Sequence, residues 1–219
     1  MAKLDDFFKT TGFRDPNDRS KNPFEYAFGL EKFTWLANNP EYQSIFNRFM
    51  TGRRIGKGNW LDFYPVKEYL IEGDTDNENS VFCVDIGGGY GHDLKQLNGR
   101  FPSLPGKLVL QDLPEIVWTV EEKLRATSRK PFEAMAHGFF TPQPIKGARV
   151  YNLRAVLHDW PTSDYRTILS HIVAAMKPEY SRLIIRYFIV SDADIPLMAA
   201  CTDLRMMLLL VGMERKESQ

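Results

Sequence analysis

The sequence predicts an α/β fold built on a parallel sheet of about five strands, with helices on both faces and a helical extension at the N-terminus. Three observations predict it: short apolar runs alternate with helical patterns, a glycine-rich turn follows the first run, and an aspartate follows the second. Strands separated by helices are typical of βαβ units, whose sheets are buried on both faces. The predicted strands are residues 81–86, 107–111, 132–136, 149–153 and 183–190, and the predicted helices are residues 92–100, 115–127, 163–176 and 197–210.

The chain before the first predicted strand has a different character. Residues 1–22 are polar and rich in turn-forming residues, and we expect a leader or linker there. Residues 23–75 carry apolar residues at helical spacing, with an interruption at Asn38-Asn39-Pro40 and a separate helical pattern over residues 60–72. Residues 80–219 are then expected to form the domain that contains the sheet.

The composition excludes several classes of function. Lys plus Arg and Asp plus Glu both number 28, so a nucleic-acid or anionic-membrane partner has no compositional support. The N-terminus lacks a signal-peptide pattern, and no stretch approaches the ~18 apolar residues of a membrane span, so we expect a cytoplasmic protein. Cys83 and Cys201 are expected to be reduced and buried. The four histidines have no metal-ligand spacing, so we expect no metal.

The turn after the first predicted strand has the composition of a ligand-binding loop. It runs Gly87-Gly88-Gly89-Tyr90-Gly91 after Asp85, and its glycines allow positive φ angles and a close approach of a ligand. His92 stands where the dinucleotide pattern G-x-G-x-x-G needs glycine, and the Gly-Lys-Ser/Thr of a P-loop is absent. An acid before the turn suits a cationic ligand better than a pyrophosphate. The amino group and sulfonium of S-adenosylmethionine (AdoMet) fit this requirement.

Asp112 supports a nucleoside ligand. It follows the second predicted strand, which is where folds of this kind bind ribose hydroxyls with a carboxylate. The alternative is that the glycines only form a tight turn and that Asp112 only serves as the N-cap of the next helix.

The chain resembles AdoMet-dependent O-methyltransferases of the plant and fungal type, that is, the caffeate-methylating class and its fungal polyketide-tailoring relatives. The segment Leu157-His158-Asp159-Trp160-Pro161 is specific to this family. The resemblance implies a Rossmann-like class I methyltransferase fold, AdoMet as cofactor, and a hydroxyl of a small aromatic or polyketide-like metabolite as methyl acceptor. Other matching segments are residues 22–27, 60–66, 84–91, 111–114, 139–144, 174–178, 203–204 and 212–215.

The resemblance also implies roles for individual residues. His158 would be the general base that takes the proton of the acceptor hydroxyl, since an imidazole with a pKa near ~6.5 is neutral and basic at working pH. Glu214 would orient this base, whereas Asp159 would be structural. The alternative for His158 is a structural histidine at a helix start, and for Arg154 a solvated cation at a strand end. The residues implied to bind the cofactor are Asp85, Gly87, Gly88, Gly89, Gly91, Asp112, Leu113, Phe139 and Arg154.

Three positions depart from the family pattern. Tyr187 replaces a second glutamate beside the base, and because a charge-assisted hydrogen bond is worth about 1.5–3 kcal/mol, we expect a roughly ten- to hundredfold slower reaction. Gly138 replaces an aspartate that accepts from the adenine amino group, which is expected to weaken cofactor binding by about 1–3 kcal/mol. Arg205 replaces a small polar residue, and it either faces the acceptor cavity or points into solvent.

The fourth departure is in the length. Against the family, the chain lacks an N-terminal winged-helix domain and the last two strands. Residues 23–75 would flank the acceptor site, and residues 80–219 would form a C-terminally incomplete AdoMet-binding domain. The strand over residues 183–190 would then be an uncovered apolar edge, which favours a homodimer, a partner chain or poor solubility.

Two functions are compatible with these residues. The first is an O-methyltransferase with a phenolic acceptor. The alternative is a degenerate, non-catalytic relative kept as a partner or regulatory module or left as a truncated gene product, or a relative that uses the charge of bound AdoMet for another reaction.

Overall fold

The computed structural model describes residues 2–14, 16, 18, 21–52, 59–72, 80–128, 130–187, 189–212 and 215–216. The chain divides into two compact units. The sheet unit comprises Asn59–Val156 and Asp164–Arg186, and the helical unit comprises Met1–Gly58, Leu157–Ser163 and Tyr187–Gln219.

The sheet unit contains five parallel strands in the order β3-β2-β1-β4-β5. This arrangement confirms the predicted fold class. The strand order reverses at β1, so the crevice at the carboxyl ends of β1 and its neighbours is where a parallel α/β sheet binds ligands. The strands are β1 (Val81–Ile86), β2 (Lys107–Asp112), β3 (Glu133–Ala136), β4 (Val150–Arg154) and β5 (Arg182–Arg186).

Three helices connect the strands, as their apolar spacing predicts. They are α5 (His92–Arg100), α6 (Pro114–Arg125) and α7 (Thr162–Val173). Pro114 suits the first position of α6 because its fixed φ is already helical and its missing N–H would have no partner there. The core of the unit consists of buried strand residues together with the inner faces of α5 and α6, among them Phe82, Leu94, Leu110 and Val120.

Residues 60–72 form two short turns rather than one helix. A 3-10 turn over Trp60–Asp62 is closed by a capping box with Asn59, and a π-helical turn covers Lys67–Ile71. The buried Arg149 ties this segment to the sheet, because its guanidinium donates to the carbonyl oxygens of Leu70 (2.9 Å) and Tyr69 (3.1 Å).

The helical unit contains a helix where the sequence predicts a leader or linker. Helix α1 (Ala2–Thr11) buries Phe7, whose ring meets Tyr26 edge-on at 5.6 Å between centroids. The interruption at Asn38-Asn39-Pro40 is confirmed, because α3 ends at Ala37 and α4 begins at Pro40. Of the helices that the structure describes, none is long and apolar enough to cross a membrane. The others are α2 (Pro23–Phe28), α3 (Lys32–Ala37), α4 (Pro40–Gly52) and α8 (Leu197–Leu210).

Two further predictions of local structure are wrong. The strand predicted over residues 183–190 is broken: β5 ends at Arg186, and β6 (Ile189–Val190) pairs in parallel with β7 (Arg215–Lys216) in a separate sheet. The reason is that β4 leaves the ladder at Ala155, where φ is 53°, so the chain after Arg186 has no strand of that sheet to follow. Cys201 is exposed on α8 rather than buried, whereas Cys83 is buried in β1.

Candidate functional site

The glycine turn packs tightly against the sheet unit at Gly88 and Gly91. The amides of Gly87 and Gly88 donate to the backbone oxygen of Gln111 at 2.8 and 3.3 Å, which fixes the turn to the end of β2. A Cβ at Gly88 would lie 2.4 Å from a methyl group of Leu110 and 2.5 Å from Asp85 Oδ2. A Cβ at Gly91 would lie 2.3 Å from the ring of Phe132, whereas the Cβ position of Gly89 has nothing within 4 Å. A side chain at Gly88 or Gly91 would therefore force the turn away from the sheet.

Asp112 lies against the same turn. Its Oδ2 accepts from the amide of Gly89 at 2.7 Å and its Oδ1 from the amide of Leu113 at 2.8 Å. Burial raises the pKa of Asp112, and these two amide donors act in the opposite direction. The N-cap of α6 is Leu113, without a side-chain cap, so the alternative that Asp112 is merely the N-cap is wrong.

Asp85 lies at the base of the turn and belongs to a buried polar network. It is 1% exposed, and its Oδ1 accepts from Asn152 Nδ2 at 2.6 Å. Asn152 Oδ1 accepts in turn from Arg186 Nε at 3.2 Å. Arg186 also donates to Asp93 at 3.2 Å, and Arg154 Nη1 lies 3.7 Å from the other oxygen of Asp93. The network thus joins the ends of β1, β4 and β5 to the first turn of α5.

Sequence reasoning missed three members of this network. Asp93 gave a signal, since it is an acid two residues after the last glycine of the turn. Asn152 and Arg186 gave none, because their roles depend on β4 and β5 lying next to each other and to β1. The guanidinium of Arg186 also lies 4.6 Å from the centroid of the Trp60 ring. Arg154, predicted to bind a cofactor, pairs with Asp93 and so is not the solvated cation of the alternative interpretation.

The loop that follows β3 forms a further wall near the turn. A ring carbon of Phe139 lies 3.8 Å from the Cβ position of Gly87, and the Phe139 and Phe140 rings are 5.2 Å apart. The amide of His137 donates to the backbone oxygen of Asp112 at 3.0 Å. Gly138 has nothing within 4 Å of its Cβ position, so the aspartate expected there by resemblance could be accommodated.

These groups fit a nucleoside that carries a positive charge. The turn allows close approach, Asp112 offers carboxylate oxygens for hydroxyl groups, and Leu113 and Phe139 offer apolar surface. Asp85 places a second carboxylate at the same edge of the sheet, which would repel a pyrophosphate. Within the described part of the chain, no group of three or more histidine, cysteine or acidic residues could hold a metal ion.

His158 belongs to the helical unit. It lies in a 3-10 turn over Leu157–Asp159, is buried, and has its Nε2 atom 3.4 Å from Asp159 Oδ1. Asp159 is therefore the carboxylate beside the imidazole among the described residues. A Cβ at Gly212 would lie 2.0 Å from the backbone oxygen of His158, so the chain after α8 packs directly on this turn. Glu214 lies outside the described residues.

Lys32 and Arg205 of the same unit are cationic side chains that lie against aromatic rings. Lys32 is buried, and its ammonium group lies 4.7 Å from the centroid of the Phe33 ring and 4.6 Å from that of Phe46. Burial lowers the pKa of Lys32, whereas the charge of Asp159 acts to raise it. Arg205 is half-buried, with its guanidinium 5.3 Å from the Phe49 ring, so it does not simply point into solvent. Lys32 gave no signal in the sequence, because only the fold buries it.

Comparisons with known proteins give one consistent family. A family model described as an O-methyltransferase domain matches residues 11–219. The methyltransferase cfoC of Aspergillus candidus is 41% identical over 99% of this chain and 53% of its own length. A demethylsterigmatocystin 6-O-methyltransferase of Aspergillus parasiticus is 37% identical over 99% of this chain and 54% of its own length. The chain thus spans about half the length of the curated relatives it matches.

Solved structures agree with this result. A protein described as a pericyclic reaction enzyme is 32% identical, with a TM-score of 0.87 over 100% of this chain and 55% of its own. LepI in complex with SAM is 33% identical, with a TM-score of 0.86 over 100% and 55% of the two chains. OxaC in complex with SAH and oxaline is 28% identical, with a TM-score of 0.83 over 99% and 54%.

Proposed function

The chain belongs to the O-methyltransferase domain family, and on that premise we propose that it binds AdoMet and directs methyl transfer to a hydroxyl group of a small aromatic or polyketide-like metabolite. The observation that carries this proposal is the hydrogen bond that Asp112 Oδ2 accepts from the amide of Gly89 in the glycine turn, at 2.7 Å. This hydrogen bond supports the proposal, because a carboxylate that could accept from ribose hydroxyls lies against the glycine turn. When bound, AdoMet supplies an electrophilic methyl group on a sulfonium.

The sheet unit would hold the cofactor by complementary charge and shape. Asp112 would accept hydrogen bonds from the ribose, and Leu113 and Phe139 would flank the base. Asp85 and its partner Asn152 would set the negative potential that favours the ammonium and sulfonium groups. Arg154 is held by Asp93 and would remain the cation that faces the carboxylate end of the ligand.

The helical unit would supply the base. His158 would take the proton from the acceptor hydroxyl as that oxygen attacks the methyl group, and a positioned base of this kind typically contributes ~10²–10⁴-fold. Asp159, 3.4 Å from Nε2, would stabilise the imidazolium that forms. Glu214 is proposed to orient the base as the family resemblance implies. Tyr187 cannot supply the charge of a second glutamate, so we expect a slow enzyme.

A second candidate function uses bound AdoMet without transfer of its methyl group. Bound AdoMet would act as a fixed positive charge that polarises the ligand in a reaction without methyl transfer. It is favoured by the 32% identity and the TM-score of 0.87 to a protein described as a pericyclic reaction enzyme. Tyr187 also favours it, because a weakened base matters less where no proton is abstracted.

The cellular setting is part of the proposal. We propose a cytoplasmic protein that acts on a small molecule, without nucleic acid or membrane as partner. We also propose that β5 pairs with a second copy or a partner chain, because it pairs only with β4 among the described strands.

The test begins with calorimetry of the full chain with AdoMet and with S-adenosylhomocysteine (AdoHcy). A methyl-transfer assay against mixed phenols follows, read by mass spectrometry, for wild type, His158→Ala and a control, His171→Ala on α7. Binding of both ligands, with transfer lost by ~10²–10⁴-fold only in His158→Ala, supports the enzyme. Acceptor conversion without added mass supports the second candidate. Binding without any conversion favours the non-catalytic module, and no binding of either ligand overturns all three.

A further inference from the structure

Two glutamine side chains form a reciprocal amide pair beneath the site. Gln111 Nε2 donates to Gln143 Oε1 at 2.9 Å, and Gln143 Nε2 donates back to Gln111 Oε1 at 2.8 Å. The two residues are 0% and 2% exposed, so water does not reach either amide. Gln111 Nε2 also donates to Met135 Sδ at 3.5 Å. Gln143 Oε1 also accepts from the amide of Ile145 at 3.1 Å.

Gln111 connects the glycine turn to the loop that follows β3. Its backbone oxygen accepts from Gly87 and Gly88, which fixes the glycine turn, and the next residue is Asp112. Its side chain holds Gln143, which lies in residues 137–145, here called the base-side loop. The start of that loop is fixed to the same strand end, because the amide of His137 donates to the oxygen of Asp112.

Stability alone does not require a polar pair at this place. Two apolar side chains of the same shape would fill the space at little cost, whereas one unpaired buried amide is expensive. The pair also fixes the position of the base-side loop relative to β2, because the two reciprocal hydrogen bonds form only when the two amides face each other in one geometry. The base-side loop follows β3, which lies beside β2 in the sheet, so this loop begins next to Asp112. Under the proposed binding of AdoMet, it is the loop that would lie beside the base of a nucleoside whose ribose is held by Asp112.

We propose that the Gln111–Gln143 pair is a clamp that sets the base-side loop in register with the ribose-binding carboxylate, and so determines the selectivity for adenine. This inference rests on the proposed binding of AdoMet. Adenine presents an amino donor and a ring-nitrogen acceptor at its edge, whereas hypoxanthine presents an oxygen acceptor and an N–H donor. A loop in fixed register distinguishes the two edges, and a loop that shifts by about 1 Å does not.

The test compares binding of AdoHcy and S-inosylhomocysteine, in which hypoxanthine replaces adenine. The variants are Gln143→Leu, Gln111→Leu, the double Leu variant and Gln143→Glu, with Gln96→Leu on the exposed side of α5 as control. Gln143→Leu is expected to weaken AdoHcy binding roughly tenfold, the effect of one lost hydrogen bond on a binding surface. S-inosylhomocysteine binding should change little, so the ratio of the two dissociation constants falls toward one.

The double Leu variant separates positioning from stability. It is expected to recover thermal stability relative to Gln111→Leu and Gln143→Leu, because no side-chain amide remains unpaired, but not the selectivity for adenine. The backbone amide of Ile145 loses its acceptor in Gln143→Leu and in the double variant alike. Gln143→Glu adds a pH signature. A protonated glutamate can donate to Gln111 Oε1 and restore the pair. As the pH falls, the AdoHcy affinity of Gln143→Glu should therefore approach that of wild type at the same pH, and its selectivity should recover, which a purely structural role would not produce.

A second measurement does not need the cofactor. Hydrogen exchange of the ligand-free chain should be faster across residues 137–145 in Gln143→Leu and unchanged in Gln96→Leu. If wild type binds no AdoHcy, the proposed function fails, and faster exchange still supports the clamp while unchanged exchange overturns it. If wild type binds but shows no preference for adenine, or if Gln143→Leu keeps the preference and the exchange pattern of wild type, the clamp is overturned and the proposed function stands.

Discussion

The proposed cofactor site of the sheet unit and the His158 turn of the helical unit are built by different means. In the first, backbone amides, tightly closed glycines and buried side-chain pairs fix each group at the ends of adjacent strands. In the second, a short turn carries the imidazole beside Asp159, and the buried ammonium group of Lys32 lies over the rings of Phe33 and Phe46. The helical unit also exposes large apolar side chains, with Leu197 at 78% and Met198 at 77%.

This difference teaches which properties each region controls. Under the proposed function, cofactor recognition would depend on strand ends whose positions the sheet dictates, so a change there should alter AdoMet affinity. Acceptor chemistry would depend on side chains of the helical unit, so a change there should alter the turnover number. Changes in the sheet unit that altered only the turnover number, or changes in the helical unit that altered only affinity, would contradict this division of roles.

The largest expected effect is that of Gly88→Ala. The added methyl group would lie 2.4 Å from Leu110 and 2.5 Å from Asp85, so the turn must shift, and AdoMet affinity should fall about a hundredfold or more. Gly99→Ala is the matched control: it lies in α5 with open space around its Cβ position, and alanine there should be neutral or stabilise the helix by about 0.5–1 kcal/mol. Calorimetry and thermal unfolding measure both effects, and equal affinity in the two variants would contradict the prediction.

Asp112→Asn should weaken AdoMet binding roughly ten- to hundredfold, because a carboxylate accepts stronger hydrogen bonds from hydroxyls than an amide does. The wild-type pKa of Asp112 is raised by burial, so AdoMet affinity should decline on acidification at a higher pH than for an ordinary aspartate. The same raised pKa stabilises the ligand-free fold at low pH, and that contribution is lost as the pH rises through the folded-state pKa. Titration calorimetry across pH should show the decline in wild type and not in Asp112→Asn.

Tyr187→Glu tests whether a change in the helical unit alters the turnover number rather than the affinity for AdoMet. The family resemblance implies that residue 187 lies beside the base, so a carboxylate there should raise the turnover number roughly tenfold through a charge-assisted hydrogen bond, while AdoMet affinity stays within about twofold. Tyr187→Phe removes only the phenolic hydroxyl and controls for packing. A change in cofactor affinity without a change in rate would place Tyr187 in the cofactor site instead.

The smallest expected effect is a gain from Gly138→Asp. The Cβ position at Gly138 is open, and a carboxylate that accepts from the adenine amino group should tighten AdoMet binding by about 1 kcal/mol, or roughly fivefold. Gly138→Asn offers a weaker acceptor and should give an intermediate affinity. If all three proteins bind equally, the loop does not reach the adenine edge.

Much of the sheet unit could be predicted from the sequence. Apolar runs identified each strand of the sheet, since the strands of a covered parallel sheet are apolar on both sides. The apolar run over residues 183–190 led to the prediction of one long strand, because its apolar composition continues after Arg186. Its pairing with β4 ends at Arg186. Helix α1 was missed because its buried contact, Phe7 against Tyr26, joins distant parts of the chain.

The sequence by itself determined the fold class, the glycine turn and Asp112, because strand periodicity and the glycine requirement are local properties of the backbone. Tertiary structure decided which side chains meet. The pairing of Asp85 with Asn152, of Arg186 with Asp93 and of Gln111 with Gln143 joins residues 67, 93 and 32 positions apart. Such pairs form only where strand order brings their side chains together, and the free energy of burying a polar group then requires each to find a partner.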